Sequence, residues 1–189
     1  MNKFISKLPF WVRGCVVALV LTMALGWMVY DRINLLQRGT EIVLKTRPVD
    51  PRSLFRGHYA RLNYDVSTIQ KANAGFEWPE KLKRREKVYV VFKPGDEGYW
   101  VIERMSKMMP KPEAGKVFIA ARVRYAGKRR MSLRYGIERY FAPKKQALKL
   151  ERQNRKIPVG VIIRVSTKGV AAISGLMLDG KKIYDEPLF

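Results

Sequence analysis

Residues 14–30 carry no charged side chain. With residues 8–12 in front, the apolar run reaches the ~20 residues a helix needs to cross a ~30 Å hydrocarbon layer. Trp11, Trp27 and Tyr30 fall near its two ends, where an aromatic belt sits. Lys3, Lys7 and Arg13, with no acid among them, precede or open the run. The pattern predicts a transmembrane helix; Arg32, Arg38 and Lys45 beyond it match those cations in number, so the α-amino group and the absence of acids set the expected orientation, N-terminus inside. A cleaved signal peptide is the competing reading, with Ala24-Leu25-Gly26 as its site, but the apolar run continues past that point. Residues 31–39 read as a helical continuation or short tether ending at Gly39.

After Gly39 the period changes to two. Residues 41–46 predict a first strand, stopped by Arg47-Pro48. Residues 58–66 alternate, with His58, Ala60, Leu62 and Tyr64 on one face and Tyr59, Arg61 and Asn63 on the other. This predicts a strand inside a sheet, with Leu62 in the core and Gly57 at its start. Residues 67–75 read as one or two helical turns from Ser67 to Gly75. Three hairpins follow: 87–93 with 99–104, 116–125 with 131–138, and 159–165 with 170–176. Residues 143–156 predict a basic helix opening on Pro143, with Ala147, Leu148 and Leu150 on its apolar side. The fold expected is α+β: a single N-terminal transmembrane helix, then a mainly antiparallel β domain of hairpins with one basic helix. The division is residues 1–38 for tail, helix and tether, and 39–189 for an external β-rich domain.

The stretch Arg56-Gly57-His58-Tyr59-Ala60-Arg61-Leu62-Asn63-Tyr64 resembles the signature of the GDYXXLXY family of membrane-anchored bacterial proteins. Gly57, Tyr59, Leu62 and Tyr64 stand where that pattern places them, and His58 replaces its acidic residue. Residues 134–143 and 171–180 are similar to later blocks of such proteins, so the resemblance covers most of the chain after the N-terminal segment. It implies an anchor, a short cytoplasmic tail, an external domain and an envelope location, here the bacterial inner membrane with a periplasmic or otherwise extracytoplasmic domain. It implies no known activity.

Charge adds a partner class. The chain has 38 Lys and Arg against 16 Asp and Glu, a formal +22, and all the acids follow Tyr30. Such a field attracts polyanions: anionic lipid, envelope polymers or nucleic acid. The second hairpin carries Arg122, Arg124, Arg129, Arg130 and Arg134 with Tyr125 and Tyr135. Cations with aromatics also suit nucleic acid, but an outward-facing anchored domain rarely meets it. Strong charge that merely keeps a domain soluble is the plainer alternative. Cys15 is the only cysteine and lies inside the apolar run. It reads as a small apolar residue, and no intrachain disulfide can form.

Catalytic raw material is sparse. His58 is the single histidine, and the sequence contains no nucleophile elbow, no phosphate-binding Gly-rich loop and no closely spaced metal ligands. One enzyme reading remains, a membrane-anchored hydrolase loosely similar to signal peptidases, using Ser53 and a desolvated Lys93. Ser53 lacks the Ser-Met-x-Pro context of such enzymes. The sequence thus points to no catalytic residue, no metal and no cofactor. The candidate binding patch is Arg56, Gly57, His58, Tyr59, Arg61, Leu62 and Tyr64, joined by Arg134, Glu138 and Arg139. Glu138 is expected to neutralise its cationic neighbours. The partners expected are the lipid bilayer, a multi-span membrane protein, and an anionic lipid or envelope polymer.

Overall fold

The computed structural model describes residues 9–47, 59–79, 81–141, 159–178 and 180–185. Its first element, α1 (Phe10–Arg38), is one continuous helix of 29 residues. From Val16 to Tyr30 its large apolar side chains all face outward, with Trp27 74% exposed. A helix apolar on every side has no stripe to bury against a soluble core. It is long and apolar enough to cross a membrane. The hydroxyl of Thr22, a polar group in this run, donates back to the Ala18 carbonyl at 2.9 Å, which removes an unmet donor.

The helix runs straight into the domain. Leu35 is buried, and the Gly39 N–H donates to the Leu35 carbonyl at 2.9 Å. Residue 40 is already in β1 (Thr40–Lys45). A Cβ on Gly39 would collide with the Leu35 carbonyl oxygen and stand 3.1 Å from both the Arg164 Cβ and the Val165 nitrogen. Only glycine lets the chain pass this close. Arg164 then clamps the junction, donating to the Gly39 carbonyl at 3.1 Å and pairing with Glu41 at 2.6 Å.

Ten further strands follow: β2 (Tyr59–Arg61), β3 (Thr68–Gln70), β4 (Lys87–Pro94), β5 (Trp100–Ser106), β6 (Val117–Ala126), β7 (Arg130–Arg134), β8 (Arg139–Phe141), β9 (Val159–Val165), β10 (Ala171–Leu178) and β11 (Lys181–Asp185). One sheet has the order β1-β9-β10-β11, another β3-β7-β6-β4-β5, and β2 pairs with β8 in a two-stranded ribbon. Every pairing is antiparallel. The two larger sheets share one core. Ile42, Leu44, Val161, Ile163 and Val165 from the first meet Val88, Val90, Phe92, Ile119, Ala121 and Val123 from the second. Their alternation along each strand is what turns a period-two sequence into a two-layer β domain. Bulges at Val91/Phe92 and Val123/Tyr125 interrupt the larger sheet. Bulges bend and twist strands, and the two edge strands of that sheet end up sharing one cleft, described below.

One helix followed by antiparallel sheets is the α+β architecture the sequence predicted, and all three expected hairpins form: β4–β5, β6–β7 and β9–β10. Two expectations are corrected. Residues 67–75 are not helical turns in series: β3 sits between single 3-10 turns at Asp65–Ser67 and Lys71–Asn73. Thr68 and Ile69 are β-branched, and Ile69 pairs with Met131 in the sheet, so burial overrides the capping signal. The predicted strand 58–66 shortens to β2, which lies in the two-stranded ribbon and not inside a larger sheet. The predicted helix 143–156 lies outside the described residues.

Candidate functional site: the motif against the residue 135–138 turn

The chain from Leu62 to Tyr64 is held from both sides. On one side, Tyr64 bridges Thr46 just past β1, and the Arg47 N–H donates to the Asn63 carbonyl at 2.8 Å. On the other, the Leu62 N–H donates to the Glu138 carbonyl at 2.9 Å. Tyr64 reaches across the core, its hydroxyl donating to the Ile137 carbonyl at 2.8 Å. Tyr135 reaches back, donating to the Val66 carbonyl at 2.9 Å. Two phenols therefore cross in opposite directions between the same two segments. Leu62, Tyr64, Tyr135 and Ile137 are all buried.

The turn that receives them is shaped by Gly136 and Glu138. Gly136 has φ +88°, which a side chain adopts poorly. The Glu138 carboxylate folds back over the turn, accepting from the Tyr135 N–H at 2.5 Å and the Gly136 N–H at 3.1 Å. Its ion pair with Arg134 is looser, at 3.9 Å. Glu138 is a turn cap first and a neutralising partner second. Burial holds both phenols protonated well above the ordinary tyrosine range, and the nearby Glu138 charge adds to it. They are hydrogen-bond donors here, not acids.

A family model described as GDYXXLXY protein matches residues 21–176. The chain belongs to the GDYXXLXY family. The match begins inside α1 and ends in β10, so it covers the second half of the helix, the junction, the five-stranded sheet and the four-stranded sheet short of β11. No curated protein and no solved structure matches the chain.

Within this GDYXXLXY protein the last two motif residues, Leu62 and Tyr64, are core residues. Tyr59 and Arg61 lie on β2, opposite Phe141 and Arg139. The ribbon thus places Arg61 and Arg139 at one register position. Arg134 and Arg139 are exposed, and Glu138 is half-buried. Arg56, Gly57 and His58 lie outside the described residues, as does Ser53. The expected patch is therefore brought together in part, but its described centre is packed and bonded. Lys93 is exposed on β4, whereas a lysine activated by desolvation is buried. Among the described residues, no group of three or more His, Cys, Asp or Glu could hold a metal.

The sequence reading missed the Tyr135 hydroxyl and the capping role of Glu138. A signal was present: Tyr-Gly-x-Glu places an acceptor two residues after a turn glycine.

Beside the motif lies a cleft of about 250 Å³. Ile69 of β3 and Val101 and Ile102 of β5 line it, with Phe76 and the Arg47–Asp65 pair. Arg47 and Asp65 meet at 2.9 Å but are half exposed, so the pair stabilises by about 1 kcal/mol at most. This cleft lies between the two edge strands of the five-stranded sheet.

Proposed function

We propose that this GDYXXLXY protein is a non-catalytic, single-pass protein of the bacterial inner membrane. Its N-terminus is inside, and its β domain is an extracytoplasmic interaction module for a multi-span membrane partner. The observation that carries this reading is the join between α1 and β1. A helix bare of apolar cover from Val16 to Tyr30 enters the sheet through Gly39 with no linker. The fold thereby holds the domain's surface fixed relative to the helix, which suits a docking module. The motif supports the same reading, since Leu62, Tyr64 and Glu138 are engaged in packing and backbone bonds.

Paired reporters fused after Phe189 test the topology. Alkaline phosphatase should be active and green fluorescent protein dark, with the chain retained in membranes after an alkaline wash. A bright fluorescent fusion would overturn the orientation. Labelling of the purified protein by a serine-hydrolase probe, lost on Ser53→Ala, would overturn the non-catalytic reading.

A further inference from the structure

The solvent face of β4-β6-β7 carries an unusual row. Lys87 on β4 stands directly opposite Arg122 on β6, which stands directly opposite Arg134 on β7. Opposed residues of antiparallel strands share a face, and like charges there repel. All three side chains are exposed. Arg124, Lys128, Arg129 and Arg130 continue the charge towards and around the β6–β7 turn, also exposed. Acids elsewhere are set against cations: Glu41 with Arg164, Glu97 with Lys45, Glu103 and Glu113 with Lys116. Near the row, Glu86 pairs with Lys107 at 3.3 Å, and Glu138 is occupied in capping its own turn. Glu138 meets Arg134 only at 3.9 Å, and among the described residues no acid pairs with Lys87 or Arg122, so the fold sustains a repulsive row that is offset at one end alone.

The row also lies close to where α1 enters the domain. Thr40 faces Val165, and Val165 faces Ala171, so the β9–β10 turn sits at the helix end of its sheet. From that turn the Gly169 carbonyl accepts the Ala120 N–H at 2.9 Å. Arg122 is two residues on, about 7 Å along the strand. From Tyr30 to Gly39 the helix rises about 14 Å. The headgroup layer occupies roughly 6 Å of that. The remaining gap of about 8 Å between the headgroups and Gly39, where the domain begins, matches the screening length at physiological salt.

We propose that the Lys87–Arg122–Arg134 row docks on the anionic phosphate headgroups of the membrane that α1 spans. This rests on α1 being an anchor, as proposed above. Charge complementarity and proximity favour the lipid over a soluble polyanion. Tyr89 and Tyr125, lying under Lys87 at 4.9 Å and Arg130 at 5.8 Å, supply amphipathic rings of the kind found at headgroup level.

The test uses the full chain in nanodiscs, with Cys15→Ala and a fluorophore on Lys128→Cys. Energy transfer to headgroup-labelled lipid reads docking. Transfer should rise when anionic phosphatidylglycerol replaces part of a zwitterionic lipid, and fall again at about 0.5 M salt. Arg122→Gln with Arg134→Gln should lower the docked-to-undocked ratio by roughly tenfold or more. Lys93→Gln with Lys111→Gln removes the same charge from exposed positions elsewhere and should leave the ratio within about twofold. Equal losses in the two double variants, or no response to anionic lipid, would overturn the proposal. So would a response to soluble polyphosphate in zwitterionic discs with none to anionic lipid. Membrane retention in the alkaline wash is read separately, so loss of the anchor and loss of docking are distinguishable.

Discussion

Two regions a few strands apart treat polar groups in opposite ways. In the motif region, each named donor finds an acceptor: Tyr64 to Ile137, Tyr135 to Val66, the Tyr135 and Gly136 N–H groups to Glu138. On the outer face of β4-β6-β7, cations stand opposite cations in water. Residues in the first region are spent on stability. Residues in the second cost stability slightly, and their charge is available to something outside the chain. A family signature can thus mark the part of a protein that holds it together, while the surface open to a partner lies elsewhere.

Substitutions separate the two regions sharply. Leu62→Ala removes a core side chain and should destabilise by about 2–5 kcal/mol in denaturant unfolding. A loss below about 1 kcal/mol would place the motif on the periphery and erase the contrast. Gly39→Val, at the join, should cost about 1–3 kcal/mol, because the new side chain meets backbone on two sides. Tyr64→Phe keeps the ring but leaves the buried Ile137 carbonyl without its donor. It should cost about 1–3 kcal/mol, read as a shift in unfolding midpoint.

Alkali gives a second way to probe the motif region. The folded phenols of Tyr64 and Tyr135 are raised, while unfolded tyrosine titrates near 10. Their contribution is therefore complete below about pH 10 and declines as pH rises above it, when only the unfolded chain ionises. The unfolding midpoint should fall between about pH 9 and about pH 11, and fall less in Tyr64→Phe. A pH-independent midpoint would show that the phenols are not held as described. The smallest effect belongs to the outer face. Arg122→Gln should change stability by no more than about 0.5 kcal/mol, with a gain favoured because it relieves repulsion. A large loss would show that the row is structural after all.

The helix and the hairpins were legible because their signals are local. An unbroken apolar run needs no partner to be recognised, and β4–β5 and β9–β10 join strands that are neighbours in sequence. What escaped was pairing at long range. β1 pairs with β9, and β3 with β7, across many intervening residues, and no local pattern reports that. For β3 the local reading was wrong, since Ser67 and Gly75 bracket it like helix ends while Ile69 is drawn into the sheet. β11 was missed although Asp179-Gly180 between Leu178 and Lys181 is a strong hairpin turn signal. Of the candidate patch, Leu62 in the core was readable from alternation. Glu138's bonding to backbone N–H groups was passed over despite the turn glycine before it, because the surrounding arginines made an ion pair the obvious reading.

The join at Gly39 has a mechanical consequence. A helix longer than the hydrocarbon layer accommodates by tilting, and the tilt changes with bilayer thickness. A domain on a flexible linker would not follow. Here Leu35 is buried in the domain and Arg164 grips the Gly39 carbonyl, so helix and domain rotate as one lever. For a point about 30 Å from the pivot, a tilt of about 20° is a displacement of roughly 10 Å. That is comparable to the gap of about 8 Å between Gly39 and the headgroups. In a bilayer, the local thickness would therefore set how far the arginines stand from the lipid.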